Sequence, residues 1–320
     1  MSADPFKRRK KHALQLVRPA AGIGLELGPL TSPLVSKSEG NIAYLDHLST
    51  EGLKNKYADD TLMLEDIVEV DYVLKDSLKQ TVNKQFDYVV ASHVIEHIPE
   101  MVSWLKDVAS VLKPNGILSL VIPDKRYTFD VMRHTSTPGE VIGAYLENIT
   151  RSPSTAIYDH YAEARQANAA QLWNGIADYS KLPTYHNQKE ALNMCKASLQ
   201  GNYVDCHRYI FTPYSFFKIL RSLINHGLIT NYEVSYFHDT FENDLEFYVS
   251  LRKVRKSKNA LLSSLPDLPR AKSGGELTAR VNQLTRELNM SKKELDLVIN
   301  SSSWRLTKPL RSLRAFIGSL

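Results

Sequence analysis

The stretch FDYVVASHVIEHIP at residues 86–99, followed by LKPNGILSLVIP at residues 112–123, decides the fold of this chain. Residues 88–91 are a short apolar run, as expected of a buried strand. Residues 117–122 form a second such run, and the segment between the two carries apolar residues at helical spacing. Strand, helix and strand in this order predict a right-handed βαβ unit of a parallel sheet.

The crossover after the first of these strands is polar and includes His93, Glu96 and His97. Crossovers of this kind lie at the carboxyl edge of a parallel sheet, where ligands bind in open α/β folds. The spacing H-x-x-E-H is similar to an inverted zinc-protease motif. We expect no metal site, because the segment follows a buried strand and does not lie within a long helix.

Together with Asp46 and Asp71 at predicted strand ends, these two stretches resemble the class I S-adenosylmethionine (SAM) dependent methyltransferases of the type 11 group. The resemblance covers roughly residues 22–123, with a weaker match at residues 203–252. It implies an α/β fold with a Rossmann-like, seven-stranded sheet and helices on both faces. It also implies a methyltransferase whose cofactor is SAM.

The resemblance places the methionine end of SAM at the turn after the first strand, which contains Glu26, Gly28 and Pro29. A glycine there lets the backbone approach the ligand, and free N–H groups bind its carboxylate. The family's run of three alternating glycines is reduced here to Gly28. The loop to Asn41 is short and contains Pro33, which predicts an abbreviated first helix.

The second predicted strand, residues 41–45, ends at Asp46 and His47. A carboxylate at this position is placed to accept two hydrogen bonds from a ribose diol. The alternative is that Asp46 caps the following helix.

The third predicted strand, residues 67–70, ends at Asp71. The resemblance suggests that Asp71 or Tyr72 contacts the adenine, and a turn carboxylate is the alternative.

In the crossover, the resemblance assigns Ser92, His93 and His97 to the cofactor pocket around the sulfonium. A purely structural role is the alternative for His97.

Residues 131–202 are long for one connection within a domain, and long insertions are often functional. We predict a helical cap that carries much of the acceptor specificity.

In the return segment, Asp205 and His207 are two residues apart, which places both on one side of an extended chain. We predict His207 as base or acceptor binder, with His160 of the cap as the rival base. The alternative is that each is a satisfied histidine of the surface or core.

The composition limits the classes of partner. The chain has 320 residues, 43% of them hydrophobic, and a net charge of +5 that comes largely from its two ends. This balance argues against a nucleic-acid-binding face on the core. The two cysteines, Cys195 and Cys206, lack metal-binding spacing and predict free thiols in a reducing compartment. No apolar run of membrane-spanning length or signal peptide is evident, so we expect a cytoplasmic protein.

The pattern divides the chain into segments. Residues 1–20 are predicted to be a basic flexible tail, with attraction to anionic lipid as the functional alternative. Residues 21–130 and 203–253 form the methyltransferase core, whose last two strands should pair as an antiparallel hairpin. Residues 254–275 are rich in Ser, Pro and Lys and predict a linker.

Two segments follow the linker. Residues 276–299 carry a short heptad seam, which predicts a marginal coiled coil and a homo-oligomer. Residues 300–320 contain SSSWRLTKPLR, which is similar to a segment found after short coiled coils in bacterial enzymes of surface-polysaccharide assembly. Its leucine stripe with flanking Arg and Lys predicts a helix lying in the inner face of the cell membrane. A helix that docks on its own domain or extends the coiled coil is the alternative.

These inferences combine into one expected function. The chain should be a SAM-dependent methyltransferase that O-methylates a sugar of a bacterial surface polysaccharide or of its lipid- or nucleotide-linked precursor. A non-catalytic methyltransferase-fold partner of a glycosyltransferase assembly is the alternative. An enzyme using another dinucleotide is disfavoured because the G-x-G-x-x-G pattern is missing.

Overall fold

The computed structural model describes residues 4–58, 63–176 and 178–269, together with residues 288, 290–292 and 295. The chain divides into two units, residues 1–268 and residues 269–320. Six residues of the second unit are described: Pro269 is exposed and outside any helix, and residues 288, 290–292 and 295 are helical and exposed. The rest of the predicted coiled coil, and the whole of the predicted membrane segment at 300–320, lie outside the described residues.

The first unit is built on a seven-stranded sheet in the order β3-β2-β1-β4-β5-β7-β6. Strands β1 to β5 pair in parallel, and β7 is antiparallel to both of its neighbours. The predicted fold class and the terminal hairpin are therefore confirmed. The strands are β1 (Ile23–Leu27), β2 (Asn41–Asp46), β3 (Tyr72–Val73), β4 (Phe86–Ser92), β5 (Leu112–Pro123), β6 (Tyr232–His238) and β7 (Glu246–Lys253).

Helices cover the sheet, and the insertion adds more of them. The 13 residues between β1 and β2 form turns and bends without a helix, in line with the abbreviated helix predicted there. Among the described residues no helix is long and apolar enough to span a bilayer. The α-helices are α1 (Pro5–Ala13), α2 (Thr50–Lys56), α3 (Leu78–Thr81), α4 (Met101–Val111), α5 (Pro138–Leu146), α6 (Ser154–Glu163), α7 (Ala169–Trp173), α8 (Gln188–Leu199), α9 (Pro213–Asn225) and α10 (Lys258–Ser263).

The two faces of the sheet bury different residues of the same strands. In β4, Val89 belongs to the larger apolar cluster, whereas its neighbour Val90 belongs to the cluster on the opposite face. This alternation follows from the period of two in an extended chain. Gly24 of β1 makes room for the ring of Tyr88, because a Cβ there would lie 2.2 Å from ring atoms.

The prediction of a flexible N-terminal tail at residues 1–20 is wrong for the described part of this segment. Helix α1 begins at Pro5, and its Ala13 is 1% exposed in the apolar cluster that also contains Val90. Arg8 forms a salt bridge with Asp244 at 2.9 Å, and Arg9 forms one with Glu246 at 2.7 Å. These salt bridges to acidic residues distant in the sequence fix α1 on the domain.

We expect Arg9→Gln to lower the free energy of unfolding by about 2 kcal/mol, because hydrogen bonds between charged groups contribute about 1.5–3 kcal/mol. Glu246 is buried, so its carboxylate would lose a partner that solvent cannot replace. Urea unfolding at neutral pH measures the change. Lys11→Gln on the exposed side of α1 is the matched control, with an expected change within about 0.5 kcal/mol. Equal effects of the two substitutions would contradict the packed position of α1.

One element boundary differs from the predictions. Residues 67–70 do not form a strand, because their N–H groups bond elsewhere: that of Val68 to the Leu30 carbonyl and that of Val70 to Thr50 Oγ1. The strand forms instead at Tyr72–Val73, after the end of the predicted strand, so Asp71 precedes it. The predicted helix between the two strands, α4, begins at Met101, because the Glu100 carboxylate accepts the N–H groups of Val102 and Ser103.

The predicted linker and cap also need correction. Residues 258–263 of the predicted linker form α10, and Leu261 is 1% exposed in the main apolar cluster. Helix α5, at the start of the predicted cap, buries Val141 in the same cluster and so belongs to the core. Helices α6 and α8 instead pack around a separate small cluster of Ile157, Cys195 and Cys206. Both cysteines are free and buried.

Candidate active site

The turn after β1 is organised by Glu26, which is 1% exposed. Its carboxylate oxygens accept hydrogen bonds from the backbone N–H groups of Leu34 at 2.7 Å and Val35 at 3.1 Å. Both carboxylate oxygens are therefore occupied by the loop, so Glu26 fixes the loop that follows β1. Gly28 has a φ of +59°, a left-handed conformation that favours glycine.

Burial raises the pKa of Glu26 to about 7, although the two backbone hydrogen bonds oppose the shift. Because the folded state holds this proton more tightly than the unfolded state, its stabilising effect is complete below pH 4.5 and is lost as the pH rises to 7. We expect the unfolding free-energy penalty of Glu26→Gln to be about 3 kcal/mol smaller at pH 7.5 than at pH 4.5. Urea unfolding of both proteins at each pH measures this difference, and a pH-independent penalty would contradict it.

Asp46 ends β2 and is 7% exposed. Its Oδ1 accepts hydrogen bonds from the backbone N–H of His47 at 2.6 Å and from the His47 ring at 2.5 Å. Within the described chain, Oδ2 has no hydrogen-bond partner. The His47 ring stacks on Tyr203 with centroids 5.6 Å apart. The end of β2 thus offers one open carboxylate oxygen beside an aromatic wall.

Asp71 and Tyr72 lie at the start of β3. Asp71 Oδ2 accepts the backbone N–H of Tyr44 at 2.8 Å, and Oδ1 pairs with Lys37 at 2.9 Å. Its carboxylate therefore fastens the neighbouring strand. Tyr72 is half-buried and packs at the edge of the main apolar cluster.

The crossover after β4 begins at Ser92 and His93. His93 has a φ of +53°, which is unusual for a non-glycine residue. Its Nε2 lies 2.8 Å from Glu246 Oε2, and Glu246 also pairs with Arg9. The two histidines of H-x-x-E-H have different hydrogen-bond partners, Glu246 for His93 and Asp205 for His97.

His97 instead meets the return segment, residues 203–211. Its Nδ1 donates to Asp205 Oδ1 at 2.8 Å, and its ring contacts the His207 ring edge-on with centroids 4.8 Å apart. Burial lowers the pKa of His97, but the hydrogen bond to Asp205 and the charge of Glu96 outweigh it and leave the pKa raised.

The predicted placement of Asp205 and His207 on one side of the chain does not bring the two side chains into contact with each other. Asp205 binds His97 and the hydroxyl of Tyr203, not His207. The return segment contains no regular strand. The Glu96 carbonyl accepts the N–H groups of both Arg208 and Tyr209. This double hydrogen bond fixes the return segment against the crossover.

The carboxylate partner of His207 is Asp130, which the sequence reading missed. His207 Nδ1 lies 2.5 Å from Asp130 Oδ2, and Arg133 binds the other oxygen at 2.9 Å. Burial opposes ionisation of Asp130, but the His207 and Arg133 contacts prevail and lower its pKa to about 2. No sequence signal marks this pair, because 77 residues separate its members.

His160, the rival base, lies next to His207. Its Nδ1 accepts the backbone N–H of His207 at 3.2 Å. Burial lowers the pKa of His160 to about 3, and the charge of His207 adds to the effect. A histidine with so low a pKa is a weak base. The low pKa of His160 therefore disfavours it as the base and leaves His207 as the candidate.

Comparison with known proteins gives one match to a family model, over part of the chain. Residues 23–118 match the family model Methyltransf_12, described as a methyltransferase domain. No curated protein matches the chain.

Solved structures with a similar chain path include the N-methyltransferase NodS from Bradyrhizobium japonicum WM9. It is 9% identical in sequence, and the superposition covers 80% of this chain and 100% of that chain with a TM-score of 0.37. An S-adenosylmethionine dependent methyltransferase from Mesorhizobium loti has 13% identity, coverages of 78% and 99%, and a TM-score of 0.40. A putative methyltransferase of this kind from Listeria monocytogenes has 12% identity, coverages of 77% and 99%, and a TM-score of 0.38.

The carboxyl edge of the sheet fits SAM in two respects. The left-handed Gly28 lets the backbone turn close to a ligand, and a Cβ there would face Val94 at 3.5 Å. Asp46 keeps one carboxylate oxygen open for a hydroxyl. Taken with the match of residues 23–118 to a methyltransferase domain model and with the strand order, these features support the assignment of the chain as an S-adenosylmethionine-dependent methyltransferase.

Proposed function

We propose that this enzyme O-methylates a sugar hydroxyl, with His207 contacting that hydroxyl as its base or its binder. The observation that carries the proposal is the buried pair formed by Asp130, which follows β5, and His207 of the return segment. A carboxylate on Nδ1 fixes the ring and leaves Nε2 for a proton donor, as in the histidine of a catalytic triad. Asp130 is then a positioning residue.

Aromatic side chains near the same edge support a sugar acceptor. Tyr127, which follows β5, and Trp173 of α7 are both half-buried, and their ring centroids are 4.5 Å apart. Rings of this kind offer an apolar face together with a polar tip, and the C–H face of a hexose can pack on such a surface. Because a sugar hydroxyl is a poor nucleophile, the site also needs a group that orients it or takes its proton.

The chemistry divides between cofactor and protein. Bound SAM supplies the methyl group from its sulfonium. The chain's own residues must hold the acceptor oxygen in line with that methyl and exclude water. Loss of the acceptor proton to His207 Nε2 would be favoured by Asp130, which stabilises the charged ring.

The test is transfer of labelled methyl from SAM to a panel of nucleotide-linked and polyprenyl-linked hexoses. We expect label in the sugar, at a hydroxyl identified by mass spectrometry. Label found only in amine-bearing sugars, and at nitrogen, would contradict the O-methylation proposal. SAM binding measured by calorimetry in the same preparation separates a wrong acceptor class from an inactive sample.

We further propose that the enzyme works on the inner face of the cell membrane, as an oligomer or beside a glycosyltransferase. The support is the sequence of residues 276–320, with its heptad seam and basic leucine stripe. We expect a chain ending at Val298 to stop sedimenting with anionic vesicles while SAM binding stays intact. Retained sedimentation of the shortened chain would count against the membrane proposal.

A further inference from the structure

We propose that Glu96, His97 and His207 form a binding site for a divalent transition metal ion of the zinc type. One ligand atom from each of the three side chains lies within 4.8 Å of the other two. Two histidines and one glutamate are a known donor set of catalytic zinc sites, which keep a fourth position open. This inference replaces the expectation from the sequence that the crossover holds no metal.

The strongest support is the state of Glu96. The residue is 0% exposed, and both of its carboxylate oxygens are buried without a hydrogen-bond partner among the described residues. Its nearest ring nitrogens are at 3.6 Å on His93 and 3.9 Å on His97, beyond hydrogen-bond distance. A buried carboxylate without partners is costly, and a cation bound between Glu96 and the two rings would satisfy it.

The two histidines are oriented as metal ligands usually are. Each uses Nδ1 to bind a carboxylate: His97 binds Asp205 and His207 binds Asp130. This leaves Nε2 of each ring for a ligand. Ligating histidines in proteins almost always have such an outer carboxylate or carbonyl partner, which fixes the ring and raises its basicity.

The size of the site requires only a small closure. Tetrahedral ligands about 2.1 Å from zinc lie about 3.4 Å apart, so the three side chains must move inward by about 1 Å. The backbone already holds them together, because the Glu96 carbonyl accepts two N–H groups of the return segment that carries His207. Nitrogen and carboxylate donors select a transition metal over Mg²⁺ or Ca²⁺.

A metal here also decides between the two roles proposed for His207, and this consequence rests on the proposed function. A ring whose Nε2 ligates an ion cannot take a proton there. His207 would then bind the acceptor hydroxyl through the open position of the ion. The metal site itself does not depend on the methyl-transfer reaction, since it can be measured without SAM or acceptor.

The experiment uses the full-length chain, stripped of metal with a chelator and titrated at pH 7.5 with Zn²⁺ alone and with Co²⁺ as a spectroscopic probe. We expect one ion per chain and a visible Co²⁺ absorption typical of four-coordination. We expect Glu96→Gln and His97→Gln to weaken Zn²⁺ binding by at least about 100-fold. Asp205→Asn should weaken it about 10–100-fold through His97.

His226→Gln is the matched control, because His226 is exposed and outside the cluster. It should leave the affinity unchanged. Circular dichroism of each variant shows whether it is folded, and Asp205→Asn keeps the test decisive if Glu96→Gln does not fold. Absence of stoichiometric Zn²⁺ binding by the folded wild-type chain would overturn the proposal. Equal Zn²⁺ affinity in wild type, His97→Gln and Asp205→Asn would also overturn it.

Discussion

Replacing His207 with Gln should lower the methyl-transfer rate by about 10²–10⁴-fold while leaving the SAM dissociation constant unchanged. His207 is the side chain proposed to contact the acceptor hydroxyl as its base or its binder, and this range is the usual contribution of a side chain that acts on the reacting atom. Gln can still donate a hydrogen bond to Asp130, so the buried carboxylate keeps a partner and the fold should persist. Single-turnover measurements with saturating SAM, using the sugar that the wild type methylates, give the rate directly.

His160→Gln is the comparison that makes this result specific. His160 touches His207 but is a weak base, so we expect a much smaller loss of rate, within about tenfold. A larger loss in His160→Gln than in His207→Gln would reverse the assignment of the two histidines.

Replacing Asp46 with Ala should weaken SAM binding by about 100-fold. A hydrogen bond to a charged group contributes about 1.5–3 kcal/mol, and a carboxylate can accept two from a ribose diol. Asp46 is nearly buried at the end of β2, so water replaces these bonds poorly. Calorimetric titration with SAM measures the change.

Glu51→Ala serves as the control for Asp46→Ala, because Glu51 is an exposed acid in the first turn of the next helix. It changes the local charge equally but should not alter the affinity for SAM. If the two variants bind SAM equally well, Asp46 is not a cofactor ligand. The alternative role for Asp46, as a helix cap, is not supported by the structure, because Ser49 caps α2.

The sheet was predictable because its strands are local patterns. The apolar run of β4 and the apolar face of α4 each depend on residues that are close together in the sequence. Strand β3 was misplaced by a few residues because it is only two residues long, and loop hydrogen bonds decide where it starts.

The site was less predictable because its pairs are distant in the sequence. Asp130 and His207 are 77 residues apart, and His97 and Asp205 are 108 apart. The short spacing of Asp205 and His207 predicted that both lie on one side of the chain, but in the structure Asp205 binds His97 and His207 binds Asp130. The N-terminal helix was missed for the same reason, since the charges that hold it lie near the other end of the domain.

The position of α1 has a consequence for how the protein is made. Arg8 and Arg9 emerge from the ribosome early, but their partners Asp244 and Glu246 follow 236 and 237 residues later. At roughly 5–20 residues per second this delay is about 10–50 s. During that time the docking place of α1 is incomplete, because Tyr248 of its apolar cluster is also missing, so nascent chains should engage chaperones at their first twenty residues until β7 has been synthesised.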